Sequence, residues 1–321
     1  MDLSLSQLFF IFEQWLFLIK KWQINSESAH LNITGGEPLI RPDFFKFVEK
    51  ISPYSHLFNF GLMTNGSLLN RNNISKLKKA NMRKCQVSLE GMKENNDEIR
   101  GKGAFEKTVK AIKLLVDSGI ETHVSLTLTK KNMKDVPALT DLCNSLGVFM
   151  LKTKRLVPWG RGKELKKYML QPKELRGFYL KVKKINEKLW LSSKRRLFAV
   201  GIGCESGIFG HENPFNFSSL CGVTDGRCLT IMANGDVLPC RRLPIVAGNA
   251  LKKDIFRIYY SEKMKTLRDL NNLHSFCRNC PNFVNCLGGA KCINYAYCGK
   301  WNVPDVQCWR AYDRLDEPMF T

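Results

Sequence analysis

Apolar positions along the chain follow two alternating rhythms. Leu5, Leu8, Phe9, Phe12, Leu16 and Ile19 recur at helical spacing and predict a buried amphipathic helix near the start. Short β-prone runs then appear at His30–Thr34, Leu57–Met63, Lys84–Leu89, Thr122–Leu128 and Phe149–Val157. Helical patterns occupy the intervals, at 42–51, 70–80, 105–118 and 134–146. Strand and helix in regular succession predict βαβ units, a parallel sheet and an α/β fold. A helix ahead of the first strand leaves that sheet short of an opening strand. Gly201, Gly203 and Gly207 interrupt the helical pattern and predict a boundary near 195–205, dividing the chain into domains at 1–200 and 201–321.

Composition narrows the class. A chain of 321 residues exceeds the usual single core, and 44% hydrophobic with 25% charged residues excludes disorder, collagen and a multi-span membrane protein. The apolar run Leu8–Ile19 is too short to span a bilayer. It also lacks a basic leader, because Asp2 precedes it and Glu13 and Gln14 interrupt it, so a cytoplasmic protein with no membrane partner is expected. The net charge is +21, and residues 150–196 hold most of it, with 16 Lys or Arg against Glu164, Glu174 and Glu187. That segment reads either as a solvated lysine-rich helix or as a dock for an acidic peptide or nucleic acid.

Cysteine placement is uneven. Only Cys85 and Cys143 fall in residues 1–200, Cys204 stands alone, and nine of the 12 lie between Cys221 and Cys308. A long cytoplasmic chain with that pattern points to metal or cluster ligation over disulfides. Leu229–Met232 and Val237–Cys240 flank an Asn-Gly turn, predicting a hairpin that delivers Cys240 near Cys221. Beyond it stand Cys277-x2-Cys280-x5-Cys286-x5-Cys292 and then Cys308. The first pair alone suits zinc. Seven spaced thiols exceed one four-thiolate site and suit two centres. Cys204, Cys228 and Cys298 fall outside the spacing and are expected to be packed thiols. His30, His56, His123, His211 and His274 read as structural or surface residues.

In Asn32-Ile33-Thr34-Gly35-Gly36-Glu37-Pro38 a strand runs directly into a glycine turn. At the C-terminal rim of a parallel barrel, such a turn lets a ligand reach the main chain while Glu37 holds an ammonium group. Taken alone, it could equally be a plain strand-to-helix turn.

Thr34 to Asp43 (TGGEPLIRPD), then Met63-Thr64-Asn65-Gly66, then Val87-Ser88-Leu89-Glu90-Gly91, resemble in order and spacing the radical SAM enzymes. The cysteine spacing resembles the SPASM domain that follows the barrel in many of them and carries auxiliary 4Fe-4S clusters. The resemblance implies a partial (β/α)6 TIM-like barrel missing its first strand, followed by a small cysteine-rich α+β domain. It also implies S-adenosylmethionine bound across a rim of Gly35, Gly36, Glu37, Pro38, Thr64, Asn65, Ser88, Glu90, Thr127, Asn132, Arg155 and Val157. In it Gly36 and Glu37 take the amino group, Thr127 and Asn132 approach the ribose, Arg155 the carboxylate, and Val157 the adenine. Glu90 stands where the family more often has Asp. The implied cluster ligands are Cys221, Cys240, Cys277, Cys280, Cys286, Cys292 and Cys308.

The family's C-x3-C-x2-C, which binds the barrel 4Fe-4S cluster, occurs nowhere in these residues. The chain therefore reads as begun downstream of that segment and inactive as given, or as a degenerate relative. The implied function is a radical SAM/SPASM oxidoreductase or maturase acting on a ribosomal peptide, a protein side chain or a cofactor precursor. Its implied partners are a peptide, protein or small-molecule substrate and an electron donor such as ferredoxin or flavodoxin. The alternative is a non-catalytic, basic cysteine-cluster protein that binds nucleic acid or an acidic protein.

Overall fold

The computed structural model describes residues 2–192, 199–202 and 220–312. Helix α1 (Leu5–Lys21) opens on a capping box in which Ser4 and Gln7 satisfy each other's backbone N–H groups. Then come β1 (His30–Ile33), α2 (Phe44–Ile51), β2 (Asn59–Thr64), α3 (Arg71–Lys79), β3 (Met82–Ser88), α4 (Lys93–Arg100) and α5 (Ala104–Asp117). The half closes with β4 (Glu121–Leu128), α6 (Val136–Ser145), β5 (Met150–Arg155), α7 (Pro172–Ser192) and β6 (Ala199–Ile202). All six strands pair in parallel in sequential order. The five expected strands lie within two residues of their predicted starts. The sixth strand occupies the stretch read from its glycines as a domain boundary, where its pairing with β5 continues the sheet. Gly203, Gly207, Cys204 and His211 lie outside the described residues.

Strand alternation explains the two faces of this sheet. Leu62, Cys85, Val87, Val124, Leu126 and Leu151 point one way and are buried against the helices. Gln86, Ser88, His123, Ser125, Lys152 and Lys154 point the other way, so the inner face is polar. Helix α7 turns Leu175, Phe178, Tyr179 and Val182 inward and leaves Lys181, Lys184 and Lys188 exposed, as a solvated lysine-rich helix requires.

The C-terminal half is built on a three-stranded antiparallel sheet of β7 (Thr230–Ile231), β8 (Asp236–Leu238) and β9 (Gly248–Asn249). The Asn-Gly turn joins β7 to β8, and Gly235 supplies the positive φ of 86° that it needs. Short helices follow: α8 (Ile255–Tyr259), α9 (Glu262–Arg268), α10 (Ser275–Arg278), α11 (Phe283–Cys286), α12 (Lys291–Cys298) and α13 (Trp309–Tyr312). None of the described helices is long and apolar enough to cross a membrane.

Two features join the halves. Helix α1 is apolar on both sides: Phe12, Leu16 and Ile19 enter the barrel core, while Ile11 and Leu18, with Leu3 just ahead of the helix, pack with Val237, Ala250, Ile255 and Ile258. Gln14, which interrupts the apolar run, donates to the Ala250 carbonyl (3.0 Å) and accepts from the Ile255 N–H (2.9 Å). The second is a buried ion pair. Arg155, the last residue of β5, grips Asp305 through two nitrogens at 2.8 Å each, and both side chains are almost fully enclosed.

The Asp305 carboxylate also accepts from the backbone N–H groups of Ala290 (2.8 Å) and Gln307 (2.9 Å). Burial pushes its pKa up, but the Arg155 charge and these hydrogen bonds outweigh that and hold it below the ordinary value of 3.8. The stabilisation is thus complete above that ordinary value and is lost as pH falls through the lower folded value. Arg155→Met should leave the carboxylate buried without its cation and destabilise the protein by about 3–5 kcal/mol, measured by urea denaturation at neutral pH.

Candidate cofactor rim and cysteine centres

The C-terminal ends of the strands carry the expected rim residues in separate hydrogen-bonded groups. The first is centred on Glu37. The Thr64 hydroxyl lies 2.8 Å from both of its carboxylate oxygens, and the Asn65 N–H donates to Oε2 at 2.8 Å. The Leu39 N–H donates to the same carboxylate at 3.3 Å, where Glu37 caps the short helical turn begun by Pro38. Glu37 is therefore aimed by the ends of both β1 and β2. Gly35 and Gly36 beside it are exposed, and a Cβ on either would meet nothing within 4 Å, leaving main chain open to a ligand.

A second group ties β3 to β4. Glu90 is buried, accepts from Arg100 (2.6 Å), and takes the Thr127 N–H on its other oxygen (2.7 Å). Asn132 is wholly buried. Its amide donates to the Glu90 carbonyl (2.8 Å) and the Thr127 carbonyl (2.9 Å), and its oxygen accepts from the Thr129 N–H (2.8 Å). These side chains spend their polar atoms on holding two strand ends together. Asp135 supports them by accepting from the Met92 N–H (2.8 Å) and the Asn95 amide (2.7 Å). Asn96 accepts from the Glu90 N–H (3.0 Å). Arg100, Asn96 and Asp135 went unread in the sequence because each reaches the rim from a helix or turn with no motif of its own.

Ser88 ends β3 half-buried on the inner face, and Val157 is half-buried after β5. Arg155, expected at the cofactor carboxylate, engages Asp305 and Gln307 of the C-terminal half. A groove of about 540 Å³ lies at this junction, lined in part by Lys163, Lys166, Lys167, Tyr297 and Gln307.

The cysteines separate into two sets. Cys277, Cys280, Cys286 and Cys308 line one pocket together with Phe276, Asp305 and Arg310. Burial, with the neighbouring Cys308 and Asp305 charges, pushes the Cys277 thiol up to about 12 and raises Cys286 as well. Cys221 and Cys292 are buried in a second apolar cluster, with Cys228 and Cys240 packed against it. There a hydrogen bond from Cys228 pulls Cys240 down to about 6, and the Arg242 main chain and charge assist. Cys228 was expected to be a packed thiol outside the pattern. It is packed against this apolar cluster, and the fold also places it beside Cys240, because the residues between them form the hairpin that returns the chain.

Cys298, also expected to be packed, is exposed and bonds the Asn294 carbonyl. No described cysteine forms a disulfide, and no three His, Cys, Asp or Glu among the described residues close on a single metal ion. In the barrel half, Cys85 and Cys143 are core residues whose thiols are raised by burial.

A parallel α/β half-barrel with a carboxylate-and-glycine rim, followed by a compact domain bearing two four-cysteine sets, defines a cluster-bearing cofactor enzyme class. The model of the radical SAM superfamily matches residues 10–143, and that of SPASM, an iron-sulfur cluster-binding domain, matches 221–281. The chain belongs to the radical SAM superfamily and carries a SPASM domain.

Its relatives include the AdoMet-dependent heme synthase of Methanosarcina barkeri, 28% identical over 289 residues, which are 87% of this chain and 81% of that protein. Mycofactocin maturase MftC of Mycolicibacterium smegmatis is 28% identical over 286 residues, 87% and 70% of the two chains. Among solved structures, native anSMEcpe with bound AdoMet and Cp18Cys peptide shares the fold, with a TM-score of 0.70 at 19% identity over 89% of this chain and 82% of that one.

Asn132→Ala should destabilise the barrel by about 1–3 kcal/mol for each buried backbone group left unpaired. Thermal and urea unfolding check this. Loss of the Thr129 amide's protection in hydrogen exchange locates the damage at the end of β4.

Proposed function

We propose that this chain has the architecture of a radical SAM/SPASM oxidoreductase or maturase of a peptide, a protein side chain or a tetrapyrrole-type precursor, inactive in sulfonium cleavage as given. The observation that carries the reading is the pairing, in one chain, of a Glu37-centred open rim with two four-thiol sets. The relatives named as a heme synthase and a mycofactocin maturase support it at the level of reaction family. In this reading Cys221, Cys228, Cys240 and Cys292 hold one 4Fe-4S cluster, and Cys277, Cys280, Cys286 and Cys308 hold the other. The donor sets fit, being all thiols, four to a set, with Cys240 already shifted toward thiolate. When bound, such clusters supply one-electron transfer.

The rim fits S-adenosylmethionine. Glu37 presents a carboxylate already oriented by Thr64 and Asn65, suited to an ammonium group, and the bare main chain at Gly35 and Gly36 admits close approach. Glu90 and Asn132 hold the adjacent rim in shape. Reductive cleavage of the sulfonium needs a further cluster. These residues do not fit one, since no C-x3-C-x2-C is present and both barrel cysteines are buried core thiols.

Anaerobic reconstitution of the chain should yield about two 4Fe-4S clusters, read from iron, sulfide and visible absorption. Cys228→Ala and Cys308→Ala should each lose about one of them. Stoichiometric zinc in a colourless sample would overturn the assignment.

By calorimetry the same chain should bind S-adenosylmethionine, and Glu37→Gln should weaken that binding by about tenfold through loss of a charge-assisted contact. Formation of 5′-deoxyadenosine by this chain under reducing conditions would contradict the absence of a barrel cluster.

A further inference from the structure

The groove of about 540 Å³ at the junction of the two halves holds more cations than acids. The segment between β5 and α7 contributes Lys163, Lys166 and Lys167 to its lining, and Tyr297 of α12 faces it from the C-terminal half. Glu164 is the one carboxylate in the lining, and neither it nor the three lysines forms an ion pair among the described residues. Deeper in the groove Met169, Leu170 and Val306 are buried and apolar. Gln307 beside them is spent on the fold, donating to the Leu170 carbonyl (2.7 Å) and accepting from Arg155 (3.2 Å).

An anchored stretch of chain presents these lysines. Leu165 packs against the apolar cluster around Cys221 and Cys292, and the Tyr168 carbonyl accepts from the Lys130 N–H (2.8 Å). Gly162 lies so close to the preceding turn that a Cβ on it would be 2.5 Å from the Val157 carbonyl oxygen. Aromatic rings then hold the ammonium groups in place. Lys166 sits 3.9 Å from the centre of the Tyr297 ring, Lys163 lies 5.1 Å from that of Trp159, and Lys167 5.2 Å from that of Tyr168. A ring face attracts a cation through its quadrupole without neutralising it. The Lys166–Tyr297 contact carries that positive charge from the barrel half across to the C-terminal half.

We propose that this groove docks an acidic peptide segment with apolar side chains between its carboxylates. The carboxylates supply counter-charge to Lys163, Lys166 and Lys167, and the apolar side chains bury against Met169, Leu170 and Val306. Single-stranded nucleic acid needs open ring faces on which its bases stack, and here a lysine already covers one face of each ring. The volume is that of a ligand-sized site, so it takes a short extended segment and not a folded surface. The inference goes beyond the cofactor reading, because the groove lining includes neither Glu37 nor any cysteine of the two sets.

Fluorescence anisotropy on the full reconstituted chain tests this with the peptide Glu-Leu-Glu-Glu-Leu-Glu, amidated and carrying a rhodamine dye at its N-terminus. The same peptide with Gln for every Glu is the uncharged control, and labelled hexathymidylate is the nucleic-acid control. The wild type should bind the acidic peptide, more weakly as ionic strength rises, and should not bind the Gln peptide. Lys163→Gln, Lys166→Gln and Lys167→Gln together should weaken binding by about tenfold or more and flatten its salt dependence. Lys181→Gln, Lys184→Gln and Lys188→Gln together, on the exposed face of α7, remove the same charge and should leave affinity within about twofold of wild type.

Both triple variants should melt close to wild type, since the replaced side chains are exposed. Lys166→Arg, which keeps both the charge and the contact with the Tyr297 ring, should retain binding. Equal loss in the two triple variants would assign the affinity to the overall charge of +21 and overturn the proposal. Absence of acidic-peptide binding to the wild type, or tighter binding of hexathymidylate than of the peptide, overturns it as well. None of these readouts depends on cluster content or S-adenosylmethionine binding, so the cofactor reading stands or falls separately.

Discussion

The Arg155–Asp305 pair is the joint on which both halves depend. It sits where the last residue of β5 meets the loop that carries Cys308, so it sets the barrel rim and one cysteine pocket in a single contact. Two enclosed charges are tolerated because the geometry is bidentate and the remaining carboxylate lone pairs meet the Ala290 and Gln307 N–H groups. Gly289 is required beside it, since a Cβ there would lie 2.4 Å from the Asp305 carboxylate and its φ is 74°. The glycine, the acid and the arginine, far apart in sequence, form one unit.

Around that joint the two cysteine sets have different electrostatic settings. The pocket holding Cys286 and Cys308 has Asp305 as a neighbour, which opposes ionisation of the free thiols along with burial. The set holding Cys240 is flanked by Arg242 and by the Cys228 donor, which favour thiolate. Lys291, 1% exposed at the start of α12, feels thiols of both sets, Cys221 on one side and Cys277 and Cys286 on the other. Burial lowers its pKa, and those sulfurs work against the shift.

At the rim, aiming a ligand-facing group is separated from bracing the scaffold. Glu37 is half-exposed and held by two strand ends, whereas Glu90 and Asn132 are enclosed and consumed by backbone contacts. Local spacing could place all three near strand termini. It could not distinguish a carboxylate facing a ligand from one bracing the sheet, because that depends on Arg100 and Thr127, which arrive from α4 and β4.

Local pattern alone determined the alternation of strands and helices, the parallel sheet, the amphipathic start, the Asn-Gly hairpin and the cysteine-rich C-terminal region. These follow from side-chain periodicity and turn chemistry, which act over a few residues. Tertiary structure decided the sixth strand, whose short glycine-containing run has no alternation to read. It also decided the place of Cys228, which is near Cys240 only after the hairpin folds back. The role of Gln14 and the pairing of Arg155 with Asp305 likewise emerged only there, as did the polar inner face of the sheet. Each of these is a meeting of residues from distant elements, and such meetings are set by how strands register and domains pack.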